Sequence, residues 1–118
     1  MDKLVEMGIL FDYYGKLLTG TQYDVVDQYY NQDLSLTEIA SLNNISKQAV
    51  SENLKRAEKN LYDYENTLAL IEKNRAIIDL IEEHNRAIET IISGMKDGEN
   101  KESLINLKNK TDVFLKKI

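Results

Sequence analysis

The two residues least compatible with helices are almost missing from this chain. It contains no proline and five glycines, and none of those glycines lies between Gly20 and Gly94. Proline ends a helix and glycine weakens one, so a long interval without either predicts helices throughout. We therefore expect an all-α fold. A length of 118 residues suits one domain, or a small domain with an appendage.

Capping residues divide the middle of the chain into two helices joined by a tight turn. Ser35 and Glu38 have the spacing of a capping box, which predicts a helix over residues 36–42. Asn43 and Asn44 tolerate the left-handed backbone at a helix end. Ser46 can cap a second helix that begins at residue 47. A short helix, a tight turn and a second helix form a helix-turn-helix.

One side of each helix is predicted to be buried. At about 100° per residue, apolar positions of the second helix, from Val50 to Leu61, fall on one stripe. A small residue on the first helix lets the two helices cross closely. The predicted core of the motif consists of Ile39, Ala40, Ile45, Val50 and Leu54.

The opposite side of the second helix carries residue types that read nucleic acid. Glutamine can bond to adenine, and lysine or arginine to guanine or phosphate. We expect base contacts from Lys47, Gln48, Ser51, Glu52 and Lys55, and phosphate contacts from Thr37, Arg56 and Lys59. The alternative is that these are the ordinary solvated residues of two capped helices in a bundle.

The same stretch resembles known proteins. Ser46, Lys47, Val50, Leu54, Arg56 and Ala57 match the helix-turn-helix of sigma-factor region 4. Together with LFDYY (10–14), LLT (17–19), YY (29–30) and ISKQAVSENLKRAE (45–58), the chain more closely resembles the YlxM-like DNA-binding family of Gram-positive bacteria. The resemblance implies a small cytoplasmic helical protein that is encoded beside genes of the signal recognition particle and regulates that pathway. Asn43 and Asn44 depart from the usual apolar residue and glycine, which predicts a looser turn.

Charge argues against simple DNA binding. The chain has a formal net charge of −5 and an isoelectric point near 4.9, whereas DNA-binding domains are often basic. Basic residues nevertheless gather on the predicted recognition helix, where residues 47–59 hold four bases and two acids. One such module would neutralise few phosphates and bind weakly. We therefore expect either a homodimer on DNA or a different partner, namely a protein or RNA of the signal recognition particle.

Two further helices precede the motif. Apolar residues recur at steps of three and four over residues 3–18, and a second helix is predicted over residues 22–31, capped by Thr19 or Thr21. The tyrosine pairs 13–14 and 29–30 could stack on bases. Helix packing, with the phenolic tips in water, is the simpler interpretation.

Beyond Leu61 the helical pattern continues. We expect the helix either to break near residues 73–75, where its apolar stripe shifts, or to project unbroken as an arm. Residues 76–118 read as a helical hairpin with a turn at 93–101. Its last helix is predicted to bury Leu104, Leu107, Thr111, Phe114, Leu115 and Ile118. We thus expect a helix-turn-helix domain (1–64) and a C-terminal helical extension (65–118).

The hairpin has more aliphatic residues than two helices can bury. We expect a dimer interface of Ile77, Ile78, Ile81, Ile88, Ile91 and Ile92. The alternative is that the hairpin folds back on the N-terminal helices of its own chain.

Other functions lack support in the sequence. One histidine, His84, no cysteine and no glycine-rich phosphate loop predict neither catalysis nor a metal or cofactor site; His84 is expected at a helix interface. Without an 18-residue apolar run, membrane insertion is not expected. The N-terminal residues include acids and offer no small-residue cleavage site, so a secretion signal is not expected.

Overall fold

The computed structural model describes residues 2–117 and confirms the all-α fold. Within that range it contains helices and no strand. The α-helices are α1 (Lys3–Tyr14), α2 (Gly20–Val26), α3 (Leu36–Asn43), α4 (Lys47–Leu68), α5 (Leu70–Ser93) and α6 (Glu99–Lys117). The chain forms two compact units, Met1–Ile71 and Glu72–Ile118. They are called the N-terminal and C-terminal units below.

Three helices of the N-terminal unit begin at the capping side chains that the sequence predicts. Thr19 Oγ1 accepts from the Gln22 N–H, Ser35 forms its capping box with Glu38, and Ser46 Oγ accepts from the Ala49 N–H. Each bond satisfies an amide that has no partner inside its helix. Thr19 therefore caps α2, and α2 starts at Gly20, two residues before the predicted start.

The first two helices are shorter than predicted. Helix α1 ends at Tyr14 and continues as a 3₁₀ turn, Gly15–Leu17. Helix α2 ends at Val26 and continues as a π-helical segment, Asp27–Asn31. Apolar spacing alone cannot separate these tighter and wider turns from an α-helix, because the spacings differ by less than one residue per turn.

The apolar core lies in the N-terminal unit and joins all four of its helices. The following side chains are buried: Met7, Leu10, Phe11, Tyr14, Leu18, Val25, Val26, Ile39, Val50, Leu54, Ala57 and Leu61. Fully burying a large aliphatic side chain contributes about 1.5–3 kcal/mol. This core holds α3 and α4, and hence the candidate site, against α1 and α2.

Helix α4 ends at Leu68, earlier than the break predicted near residues 73–75. Ala69 adopts the left-handed region (φ 53°), and α5 starts at the next residue. The Tyr14 hydroxyl donates to Glu65 Oε1 (2.5 Å) and accepts from the Leu70 N–H (3.1 Å), while the same Glu65 oxygen accepts from the Ile71 N–H (3.1 Å). Tyr14 and Glu65 thus accept hydrogen bonds from the first amides of α5. They stabilise a helix break for which the neighbouring sequence contains no signal.

These contacts predict alkaline sensitivity. Burial, and then the bond to Glu65, raise the pKa of Tyr14 above its usual value. A raised folded-state pKa gives stabilisation that is complete below about pH 10 and is lost as the pH rises through the folded-state value. Tyr14→Phe should lower the unfolding free energy by about 1–3 kcal/mol, because it removes a buried hydroxyl with two bonds. It should also weaken the loss of stability above pH 10.

Urea unfolding followed by circular dichroism at pH 7 and pH 10.5 measures both effects. Tyr29→Phe is the matched control, since Tyr29 is 37% exposed. An equal change in the two variants would show that the Tyr14 hydroxyl does not hold the break.

The C-terminal unit is the helical hairpin that the sequence predicts, with its turn at residues 94–98. Helix α5 carries a half-buried stripe formed by Ile78, Ile81, Ile88 and Ile92 around buried Asn85, and the bond from Asn85 places this side of the helix toward α6. Asn85 Nδ2 donates to Asp112 Oδ1 (2.9 Å), and Lys108 Nζ lies 3.0 Å from Glu89 Oε1 and 2.8 Å from Asp112 Oδ2. These polar bonds fix the register of the two helices.

The buried side of α6 differs from the prediction. Leu107 and Phe114 are 49% and 48% exposed, while Lys108 and Asp112 are half-buried with Leu104, Thr111 and Leu115. Apolar spacing does not place Lys108 and Asp112 on this side; they face α5 because they bond to polar groups there. Ile118 lies outside the described residues. His84, expected at an interface, is exposed within its hairpin.

Candidate nucleic-acid interface

The turn between α3 and α4 has the predicted geometry. Asn44 is in the left-handed region (φ 52°, ψ 42°), and the Ile45 N–H donates to the Ala40 carbonyl at 3.2 Å. At the start of α3, the Ser35 N–H bonds to Glu38 Oε1 and the Glu38 N–H bonds to Ser35 Oγ, both at 3.1 Å. Both ends of α3 are therefore fixed by bonds within the motif.

Asn43 does not loosen the turn, contrary to expectation. Its Nδ2 donates to Gln28 Oε1 and to the Ile39 carbonyl, each at 2.7 Å. One bond closes the last turn of α3 and the other ties that turn to the preceding π-helical segment. At this position hydrogen bonds take the place of apolar packing. One of them requires Gln28, a partner that residue spacing in the sequence does not identify.

The side chains predicted to form the core of the motif are buried or half-buried. Ile39 and Val50 are fully buried and Leu54 is 9% exposed. Ala40 and Ile45 are half-buried and pack against the same core. The crossing of α3 over α4 is therefore filled by side chains, and the opposite side of α4 is directed away from the core.

That opposite side forms a ridge, called here the polar ridge: Gln48, Glu52, Lys55 and Lys59. At about 100° per residue its four members lie within roughly 60° of one another. All four are exposed, as are Lys47 in the first turn and Arg56 at the flank. Ser51 is half-buried, on the edge facing the core. The structure thus brings together six of the eight residues predicted to contact DNA, with Ser51 beside them.

The charge of the ridge is partly paired. Lys59 Nζ lies 2.8 Å from Asp63 Oδ2, one turn further along α4, and both side chains are mostly exposed. An exposed pair of this kind contributes little to stability and exchanges easily with other ions. Lys59 can therefore turn from Asp63 to a phosphate, at the cost of leaving that carboxylate nearby.

Thr37 is separate from the ridge. It lies in the first turn of α3 beside Glu38, and bonds from the Ser35 N–H and then the Ser35 hydroxyl lower the pKa of that carboxyl. An ionised carboxylate occupies the positive end of the helix that would otherwise attract phosphate. The local electrostatics therefore oppose the phosphate contact expected of Thr37.

A second surface feature went unrecognised in the sequence. A cleft of about 380 Å³ lies between α1, the π-helical segment and the start of α3, and is called here the tyrosine cleft. It is lined by Leu4, Tyr29, Tyr30, Asp33, Leu34, Ser35 and Glu38. Its lining includes two carboxylates and no basic side chain. The paired tyrosines are the feature of the sequence that points to this cleft. The cleft itself could not be predicted, because its lining comes from parts of the chain that are distant in sequence.

The tyrosines do not form a flat platform for bases. The rings of Tyr29 and Tyr30 meet edge to face, with centroids 4.9 Å apart and planes at 80°. Packing is the better interpretation, but the phenolic tips are not all in water. The Tyr30 hydroxyl donates to Glu58, and the Tyr14 hydroxyl donates to Glu65.

The described part of the chain contains neither a metal-binding cluster nor a membrane-spanning helix. Within residues 2–117, no group of three or more His, Asp or Glu side chains is placed to hold a metal ion. No helix in that range combines the length and apolar character needed to cross a bilayer.

Sequence comparisons agree with the helix-turn-helix geometry. Residues 1–111 match the UPF0122 family, described as "Putative helix-turn-helix protein, YlxM / p13 like". A UPF0122 protein of Clostridium kluyveri is 41% identical over 109 residues, covering 92% of this chain and 95% of the relative. One of Desulforamulus reducens is 39% identical over 122 residues, covering 100% and 94%. One of Clostridium perfringens is 47% identical over 73 residues, covering 62% and 65%. The chain therefore belongs to the UPF0122 family of helix-turn-helix proteins.

Proposed function

We propose that this protein is a non-enzymatic DNA-binding regulator that inserts α4 into the major groove. The observation that carries the proposal is the polar ridge: four side chains, two of them lysines, exposed on one narrow arc of a helix whose other side is anchored in the core. The major groove, about 12 Å wide, admits a helix with its side chains. The second helix of a helix-turn-helix docks in this way.

The residues divide between base reading and backbone binding by their place on α4. Gln48, Glu52 and Lys55 lie at the centre of the exposed arc and would meet base edges, with Lys47 at the leading end and Ser51 at the side. Glutamine offers a donor and an acceptor to adenine, and a carboxylate can accept from a cytosine amine. Arg56 and Lys59 would lie against phosphates.

The balance of charge makes a dimer part of this proposal. The chain has a net charge of −5, and one ridge offers few cations. Doubling the recognition helices doubles the phosphate contacts, and affinity rises steeply with their number. The C-terminal unit supplies apolar surface for such a dimer, since Ile77 is 52% and Ile91 53% exposed.

Two alanine variants test the DNA proposal. Gln48→Ala should change which sequences are preferred, because it removes a base contact. Arg56→Ala should weaken binding to all sequences and reduce the slope of log affinity against log salt by about 1, because it removes a phosphate contact. Fluorescence anisotropy on a random-sequence DNA pool, followed by selection and sequencing, measures both. If neither variant alters DNA affinity or preference, the proposal is wrong.

A protein or RNA of the signal recognition particle is the second candidate partner. The family resemblance suggests this pathway, and the tyrosine cleft favours a protein partner over RNA. Its two carboxylates and two aromatic rings suit a lysine or arginine side chain, which binds to both. In this case binding would survive Lys55→Ala and Arg56→Ala but weaken on Asp33→Asn.

A further inference from the structure

The C-terminal unit has no apolar core of its own. Among its described residues, 72–117, no apolar side chain is buried, and the one buried side chain is Asn85, whose Oδ1 has no hydrogen-bond partner. Two helices in water bury too little surface to be stable alone. Further cover is therefore needed on this hairpin.

The exposed apolar residues of α5 form a second stripe. Ile77, Leu80, Ala87 and Ile91 are exposed and follow one another at steps of three, seven and four residues. This is the heptad spacing of a helix that packs against another helix. The stripe lies about 100° around α5 from the side that faces α6. Residue 84, the missing step of the heptad, is His84.

Helix α6 carries a matching stripe on the same side of the hairpin. Leu107 and Phe114, seven residues apart, lie about 100° around α6 from the side that faces α5. When each helix is viewed from its own N-terminus, its apolar stripe is rotated in the same sense away from the side that faces the other helix. Because the two helices are antiparallel, rotations of the same sense place both stripes on the same side of the hairpin. Six side chains thus form a single apolar face: Ile77, Leu80, Ala87, Ile91, Leu107 and Phe114.

The charges along the two edges of this face are opposite. Around the level of Glu83, the outer edge of α5 carries Asp79 and Glu83, and the outer edge of α6 carries Lys110 and Lys117. Glu99 shares the α6 edge but lies at the opposite end of the hairpin, near the turn, and Arg86 lies next to Asp79 on the side away from the face. The bonds Asn85–Asp112 and Glu89–Lys108 set the register, which places Glu83 level with residue 114. Along the axis of the hairpin, Lys110 and Lys117 therefore lie within about one helical turn of Glu83. An edge of acids and an edge of lysines on one face make that face complementary to itself.

We propose that the apolar face binds a second copy of this chain, with α5 of each copy against α6 of the other, to form a four-helix bundle. A two-fold axis parallel to the helices produces this arrangement, and every neighbouring pair is then antiparallel. Glu83 lies beside Lys110 and Lys117 of the second copy. The other two-fold arrangement places α5 on α5, which brings Asp79 and Glu83 beside their own copies, and like charges in contact oppose association.

This inference rests on the dimer proposed above and deepens it, because it names the surface through which the two copies bind. Ile77 and Ile91 remain in the interface, whereas Ile78, Ile81, Ile88 and Ile92 face α6 within one hairpin. Leu80, Ala87, Leu107 and Phe114 are added.

Sedimentation of the full chain at micromolar concentration tests the face. The wild-type protein should have about twice the chain mass of 13.6 kDa. Leu80→Glu and Phe114→Glu should each raise the dimer dissociation constant by about hundredfold. Val113→Glu is the control, since Val113 is 54% exposed on α6 but lies off the face. A wild-type monomer, or a dimer that Leu80→Glu and Phe114→Glu leave unchanged, overturns the proposal.

Disulfide trapping tests the arrangement without relying on variants that could unfold. The chain has no cysteine, so Glu83→Cys and Lys110→Cys each introduce a single thiol. A mixture of the two should form cross-linked dimers faster than Glu83→Cys alone or a mixture of Glu82→Cys with Lys110→Cys. Faster self-linking of Glu83→Cys would place α5 on α5 and refute the arrangement. No DNA is present, so these results are independent of whether the polar ridge binds DNA.

Discussion

Replacing Ile39 with alanine is expected to lower the free energy of unfolding of the N-terminal unit by about 2–5 kcal/mol. Ile39 is fully buried where α3 crosses α4. Alanine at this position removes apolar burial and leaves a cavity where the two helices cross, and surrounding structure closes such a cavity only in part. Since small domains are stable by only about 5–15 kcal/mol, this is a large share of the total.

Urea unfolding followed by circular dichroism measures this loss. Leu42→Ala on the same helix is the matched control, because Leu42 is 63% exposed and its truncation should change stability by less than about 0.5 kcal/mol. The Ile39 variant should also bind DNA less well, since the orientation of α4 depends on the crossing. Equal destabilisation by the two substitutions would contradict the role assigned to Ile39.

Reversing two charges on α4 should have the largest effect on function. In the variant Lys55→Glu/Arg56→Glu, two cations of the proposed interface become anions facing DNA. If each lost contact is worth about 1.4 kcal/mol, affinity falls about hundredfold, and repulsion adds to that loss. Filter binding or anisotropy at several salt concentrations measures the change.

The control for this variant has the same net charge. Lys16→Glu/Lys96→Glu also reverses two exposed lysines, but neither residue is on α4. It should lose far less affinity, since only the long-range attraction of the whole protein changes and salt screens that attraction. If both double variants weaken binding equally, the effect belongs to net charge and the polar ridge is not the DNA-binding surface.

Local chemistry explains which parts of the fold were predictable from sequence. Ser35, Ser46 and Asn44 act on amides and backbone angles within a few residues of themselves, so their roles as caps and turn residue could be identified from spacing. The buried stripe of α4 was equally accessible, because helix geometry fixes which positions share a side. The polar ridge follows from that stripe as its opposite side.

Contacts between distant residues explain the errors. The end of α4 at Leu68 depends on Tyr14, which is 51 residues away from its bonding partner Glu65. The side of α6 that faces α5 depends on two contacts across the hairpin: Asn85 donates to Asp112, and Glu89 pairs with Lys108. Asn43 is similar, since its partner Gln28 belongs to another segment. In each case a polar side chain is held in place by a partner that patterning of apolar residues cannot reveal.

The bonds at the start of α5 also determine where the N-terminal part of the chain can be cut. Truncation after Leu68 would delete the amide that donates to the Tyr14 hydroxyl and the one that donates to Glu65. It would also remove Ile71, which packs on the core. A fragment prepared to study the motif alone should therefore extend through Ile71, three residues past the end of its last complete helix.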